Sequence, residues 1–217
     1  MDNFNFFKNL HLTEDGHSSI LKRILSTSGT HGYKDNFLRL FLEKIGVPYN
    51  VEKKWHVTGK KSGNRGMVDL IIYNDDLSTI AVIENKIKNA KEQPSQLYRY
   101  WRNEIFEPLL KSGMYPKDYL ISKEVNENKE ITDHYKVIYL TADGRKKIGK
   151  ESMKRPESKD GKYDGFPEIF NFNVTEISYK KDIKNWLIDC KKVVSRDESL
   201  RLYLILEQYI EWIDSLE

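Results

Sequence analysis

Residues 67–86, MVDLIIYNDDLSTIAVIENK, constrain the fold more than any other stretch of the chain. MVDLIIY is a short, mostly apolar run, and TIAVIENK is a second one. NDDLS between them has the composition of a tight turn. Two such runs joined by a short turn form an antiparallel pair, buried enough to sit inside a sheet. Charges interrupt this apolar pattern at two places. Asp69 lies within MVDLII, an awkward position for a carboxylate that lacks a partner. Glu84, Asn85 and Lys86 close the second run where it would leave the core.

The rest of the chain supplies elements to flank that pair. TEDGHSSILKRILSTSG carries Ile20, Leu21, Ile24 and Leu25 at helical spacing, with Thr13 as its N-cap and Gly29 near its end. A second helix is predicted over 34–45, with Phe37, Leu38, Phe41 and Leu42 facing inward and Gly46 and Pro48 ending it. YNVEKKWHV reads as a strand. Pro94 suits the first turn of a helix that continues through Leu97, Tyr100, Trp101, Ile105 and Leu109, with Pro108 placed to kink it. DYLIS and YKVIYLT read as two further strands. Residues 143–164 turn polar and are predicted to be a long mobile loop, its bases Arg145, Lys146, Lys147, Lys150, Lys154, Arg155, Lys159 and Lys162 interspersed with acids. Residues 179–216 read as a C-terminal pair of helices with apolar faces at Ile183, Trp186, Leu187 and Cys190, and at Leu202, Leu206, Tyr209, Ile210 and Ile213.

No repeat or linker divides the 217 residues, so a single domain over 1–217 is expected, a mixed sheet flanked by helices. The net charge of +3 is too small to argue for nucleic acid from bulk electrostatics; a local patch is needed. One candidate is the loop KKSGNRG, with Lys60, Lys61 and Arg65 just before Asp69; it reads equally as a phosphate-holding loop and as a solvated turn. The single cysteine, Cys190, excludes an internal disulfide and favours a reducing compartment. The N-terminal residues do not pattern as a secretory signal, and no apolar run approaches the roughly 20 residues of a membrane span. A cytoplasmic protein without a membrane partner is expected. The five histidines show no zinc-ligand spacing with one another or with Cys190.

Side chains alternate along a strand, so Glu84 and Lys86 share a face and Asn85 points the other way. If the two runs pair through NDDLS, Asp69 comes beside Glu84. Two adjacent carboxylates raise each other's pKa unless a positive charge lies between them, and a hard divalent cation such as Mg²⁺ accepts such oxygens. An ammonium on the same face can orient water or meet developing negative charge. That combination suits phosphodiester hydrolysis. An acid and a base alternating on a strand also describe an ordinary solvated face; the apolar context of Asp69 and Glu84 favours the chemical reading.

These residues resemble the PD-(D/E)xK nuclease superfamily: Asp69 in RGMVDLIIY, Glu84 and Lys86 in IAVIENKI, and Gln96 and Tyr100 in QLYRY, similar to a Gln-x-x-x-Tyr element found in several of its branches. The chain looks more narrowly like a branch with an IENKI core, matched further by EDGHSSIL, HGYKDNFLRLFL and SYKKDIKNWLIDC. The resemblance implies an α/β, restriction-endonuclease-like core, a mixed central sheet of about four to five strands with helices on both sides and the C-terminal helices packed on it. It implies Mg²⁺- or Mn²⁺-dependent cleavage of nucleic acid, DNA before RNA. Asp69 and Glu84 would hold metal, joined by the Asn85 backbone carbonyl and by Glu14 from the first helix. Lys86 would position water or stabilise charge, and Gln96 and Tyr100 would support the site or contact phosphate. Val68 stands where the superfamily's name-giving proline would be. The alternative is a nuclease-fold protein that binds nucleic acid or a partner protein without cutting, and the C-terminal helices are candidates for a homodimer or partner contact.

Overall fold

A computed structural model describes residues 4–10, 12–59, 68–87, 92–158, 161–170 and 172–216. The chain opens with α1 (Phe6–Asn9), α2 (Glu14–Leu25) and α3 (Asn36–Lys44). Thr13 caps α2 by accepting from the Gly16 N–H, and the helix carries acids in its first turn and bases in its last, the order its dipole favours. α3 ends where Gly46 takes φ +67, a conformation that costs a glycine nothing. The two helices stop and start within a few residues of their predicted limits.

β1 (Trp55–Thr58), β2 (Leu70–Asn74) and β3 (Ile80–Lys86) form an antiparallel meander. β1 is shorter than the predicted YNVEKKWHV strand. The Asn50 side chain accepts from the Glu52 N–H and turns the chain there, while the Trp55 indole donates to the Asn50 carbonyl. The turn between β2 and β3 is shaped by Asp76, which accepts from the Ser78 N–H, with Leu77 at φ +58.

After β3 come α4 (Gln96–Tyr100), a π-helical stretch over Trp101–Phe106, and α5 (Glu107–Ser112). Pro94 lies in the turn ahead of α4 rather than in its first turn, because Ser95 adopts a left-handed φ of +58 and its N–H bonds outward to the Glu151 carbonyl. Pro108 sits at the start of α5, directly behind the π stretch, whose shifted hydrogen-bond register accommodates its missing N–H.

DYLIS is not a strand. Lys117–Leu120 form α6, followed by a 3₁₀ turn over Lys123–Glu127 and α7 (Lys129–His134). Only Leu120 of α6 is fully buried, and a five-residue run is too short for its period to separate strand from helix. β4 (Tyr135–Thr141) then pairs parallel to β3 and β5 (Val174–Ser178) parallel to β4, giving a five-stranded mixed sheet in the order β1-β2-β3-β4-β5.

Within 143–164, expected as a loop, Lys150–Met153 form α8 with Ser152 buried. Lys154 bridges Ile169, Arg155 donates to the Phe166 carbonyl, and Tyr163 enters the core edge-on to Tyr98. The charge-rich composition hid these few anchoring contacts. A π-helical turn over Tyr179–Ile183 leads into α9 (Lys184–Val193) and α10 (Leu200–Asp214).

The sheet is covered on both faces. Ala81, Ile83 and Ile87 face α2, α3, α9 and α10, with Phe37, Leu38, Trp186 and Leu187 at the centre. Ile80 and Val82 face α4, the π stretch, α5 and the aromatic residues Tyr163, Phe166 and Phe170. This is an α/β architecture of the restriction-endonuclease-like kind, with the C-terminal helices packed on the core. No described helix is long and apolar enough to cross a membrane.

Candidate active site

β3 is buried along its whole length, including the charged end. The β2–β3 ladder ends with Leu70 opposite Ile83, so the next step of the register sets Asp69 against Glu84. One Asp69 oxygen accepts from the Asn85 N–H at 2.8 Å, which fixes the carboxylate at the end of the ladder. Glu84 and Lys86, 2% and 6% exposed, project from the same face and meet at 2.6 Å. The Asn85 side chain lies on the opposite face, against Ser18 and Tyr179.

Gln96 and Tyr100 arrive from α4. The Gln96 amide donates to the Tyr100 hydroxyl at 2.9 Å, and Tyr100 hydrogen-bonds Glu84 in turn. The four-residue spacing puts both on one helical face, and the helix packs that face against β3. The pair thus touches the acid. Glu14 begins α2, and its charge reaches Lys86. Lys60, Lys61 and Arg65, the expected phosphate-contacting bases, lie outside the described residues, as do Lys159 and Asp160 of the 143–164 segment.

Burial first, and the nearby Asp69 charge second, raise the Glu84 pKa to about 7 against the opposing effects of Lys86 and Tyr100. Burial alone would lower Lys86, but the Glu84 carboxylate, joined by the charges of Glu14 and Asp69, more than offsets this and holds the ammonium above its ordinary range. Tyr100 is pushed up by burial and by Glu84. The site is therefore a coupled cluster in which excess negative charge is confined in a poorly solvated space.

Glu84 Oε2 and Glu14 Oε1 are buried and have no hydrogen-bond partner among the described residues. Buried carboxylate oxygens left in this way are costly, and a hard cation satisfies both the charge and the lone pairs. No group of three or more His, Cys, Asp or Glu side chains is gathered for a metal among the described residues. An all-oxygen set of carboxylates completed by a backbone carbonyl and water would suit Mg²⁺ or Mn²⁺.

Two contacts near the site went unforeseen. Tyr139 on β4 is the parallel partner of Glu84, and its hydroxyl donates to Glu92 at 2.6 Å. Glu92 also accepts from the Gly149 N–H at 2.9 Å, tying the segment after β3 to the one after β4. A tyrosine inside the apolar run VIYL of β4 was the available signal; Glu92 carried none, because its partners lie some fifty residues downstream.

A family model described as PD-(D/E)XK nuclease superfamily matches residues 4–211. No curated protein matches the chain, and no solved structure does.

Proposed function

The chain belongs to the PD-(D/E)XK nuclease superfamily, and from that premise we propose that it hydrolyses phosphodiester bonds of nucleic acid, DNA in the first place, at Asp69, Glu84 and Lys86 with a divalent cation. The observation that carries this reading is the meeting of two carboxylates and one lysine at the buried end of a hairpin, with a carboxylate oxygen left unsatisfied. A stable core gains nothing from that arrangement, since apolar side chains in the same places would be at least as favourable.

Asp69 and Glu84 would hold Mg²⁺ or Mn²⁺, together with the Asn85 carbonyl and with Glu14 approaching from α2. When bound, such an ion supplies Lewis acidity at the phosphoryl oxygen and lowers the pKa of a water ligand. The Asn85 N–H holds the Asp69 carboxylate in place at the end of the ladder. Tyr100, itself oriented by Gln96, holds Glu84. Lys86, tied to Glu84 in this structure, supplies the one ammonium on that face of the strand. Released toward substrate, it orients the attacking water or stabilises the negative charge on the oxygens of the pentacoordinate transition state.

A cleavage panel tests the reading: single-stranded DNA, duplex DNA and RNA, each with Mg²⁺, Mn²⁺ or EDTA, run beside Asp69→Ala. Metal-dependent cutting that disappears in the variant is expected. Equal cutting by the variant overturns the assignment; nucleic-acid binding with no turnover by the metal-loaded parent favours a non-cleaving binder.

A further inference from the structure

Behind the catalytic strand lies a polar chain that the proposed chemistry does not use. Asn85, fully buried, sends its amide away from the acids. From Nδ2, one arm runs to the Tyr179 hydroxyl at 3.1 Å, from Tyr179 to Tyr209 on α10, and from Tyr209 to His17 Nδ1 at 3.2 Å. The second arm runs from Nδ2 to Ser18 Oγ at 3.0 Å, and Ser18 donates to the Glu14 carbonyl at 3.0 Å. The amide also reaches that carbonyl directly at 3.4 Å.

Both arms start at Asn85 and both end on the first turns of α2, at His17 and at Glu14. His17, Ser18, Asn85, Tyr179 and Tyr209 are all essentially inaccessible. Along β3 the same face otherwise holds Ala81 and Ile83, in contact with apolar helices. Only Asn85, between the two charged residues, is polar, and its Oδ1 is buried without a partner. A leucine would fill this place without that cost. What the amide provides is a fixed distance and angle between the catalytic strand and α2. The consequence falls on Glu14, whose unpartnered Oε1 is buried and whose charge is felt at Lys86 and Tyr139 on the acid face.

We propose that the Asn85 side chain is a positioning residue: by clamping the first turn of α2, it holds the Glu14 carboxylate within charge reach of Lys86 on the acid face of the strand. The inference rests on the nuclease reading and deepens it. It makes the C-terminal helix, through Tyr209, part of what orients the metal-binding acids.

The test is a double-mutant cycle of Asn85→Leu and Glu14→Gln, read by calorimetric Mn²⁺ affinity, by kcat and KM on cleaved nucleic acid, and by melting temperature. Each single variant is expected to weaken Mn²⁺ binding at least tenfold and to lower kcat with KM unchanged. The double variant should lose little more than the worse single, because both remove one element of geometry. Tyr209→Phe, which deletes one hydroxyl on a different helix, is expected to shift Mn²⁺ affinity in the same direction, and it serves if Asn85→Leu does not fold. Unchanged Mn²⁺ affinity in Asn85→Leu and Tyr209→Phe, or losses that multiply in the double variant, overturns the proposal. A parent that cuts while Asn85→Leu cuts equally well leaves the nuclease reading standing and removes the clamp. A parent that binds Mn²⁺ but cuts nothing removes the nuclease reading, and the clamp is then judged on affinity alone. A parent that binds no Mn²⁺ overturns both.

Discussion

Glu84 concentrates the energetics of the site. It is buried, faces Asp69, and keeps one oxygen without a partner. A cation placed there would relieve repulsion and desolvation together, so metal binding should appear as stability. Addition of Mn²⁺ at one hundred times its dissociation constant is expected to stabilise the parent by about 2.7 kcal/mol, seen as a rise in melting temperature. Glu84→Gln should be at least as stable as the parent in EDTA, since it removes a strained charge, yet gain little from Mn²⁺. A variant that gains as much as the parent would mean that the ion sits elsewhere. At this scale the sequence was informative. Alternation along β3 and a five-residue turn are local facts, and they suffice to place Glu84, Lys86 and Asp69 together. The partners of Asn85 were not local facts: Ser18 and Tyr179 lie 67 and 94 positions away.

At the scale of elements, the site depends on how closely β1 and β2 approach. Gly59 follows β1, and a Cβ there would run into the Asp69 backbone carbonyl oxygen. Gly59→Ala must therefore displace the backbone that carries Asp69. A loss of about 1–3 kcal/mol in chemical denaturation is expected, the usual cost of overpacking, with at least a tenfold fall in cleavage rate. Parent-like stability and rate would show that the strand end shifts without consequence. Helices α2 and α3, the β2–β3 hairpin and β4 were legible because their apolar period is long or their turn chemistry is explicit. α6 was not, since its five-residue signal fits either period. α8 was not, because it is held by tertiary contacts such as the Ser95 N–H to Glu151 bond rather than by its own sequence.

Across the whole molecule, the family match and the core both run from the first helices to the last. Leu206, Tyr209 and Ile213 of α10 are buried in the core shared with α2 and α9, and Tyr209 and Trp212 stack with His17 of α2. Asn5 ties the N-terminal segment to the Gln208 carbonyl and to Glu211. The C-terminal layer is thus integral to the site's frame. Cys190, inside this layer, has its thiol pKa pushed well up by burial. It should resist a thiol reagent such as DTNB in the native protein and react at the rate of global unfolding in rising denaturant. Rapid labelling under native conditions would mean that α9 and α10 open independently of the sheet.

The most direct measurement is single-turnover cleavage by the parent and by Lys86→Ala in Mg²⁺, with melting recorded for both and nucleic-acid affinity measured in Ca²⁺. The expected result is a fall in the cleavage rate of about 10²–10³-fold, the usual cost of removing one group that stabilises transition-state charge, with affinity nearly unchanged and a folded protein. A folded Lys86→Ala protein that cuts at the parent's rate would contradict the assignment of the chemistry to this strand.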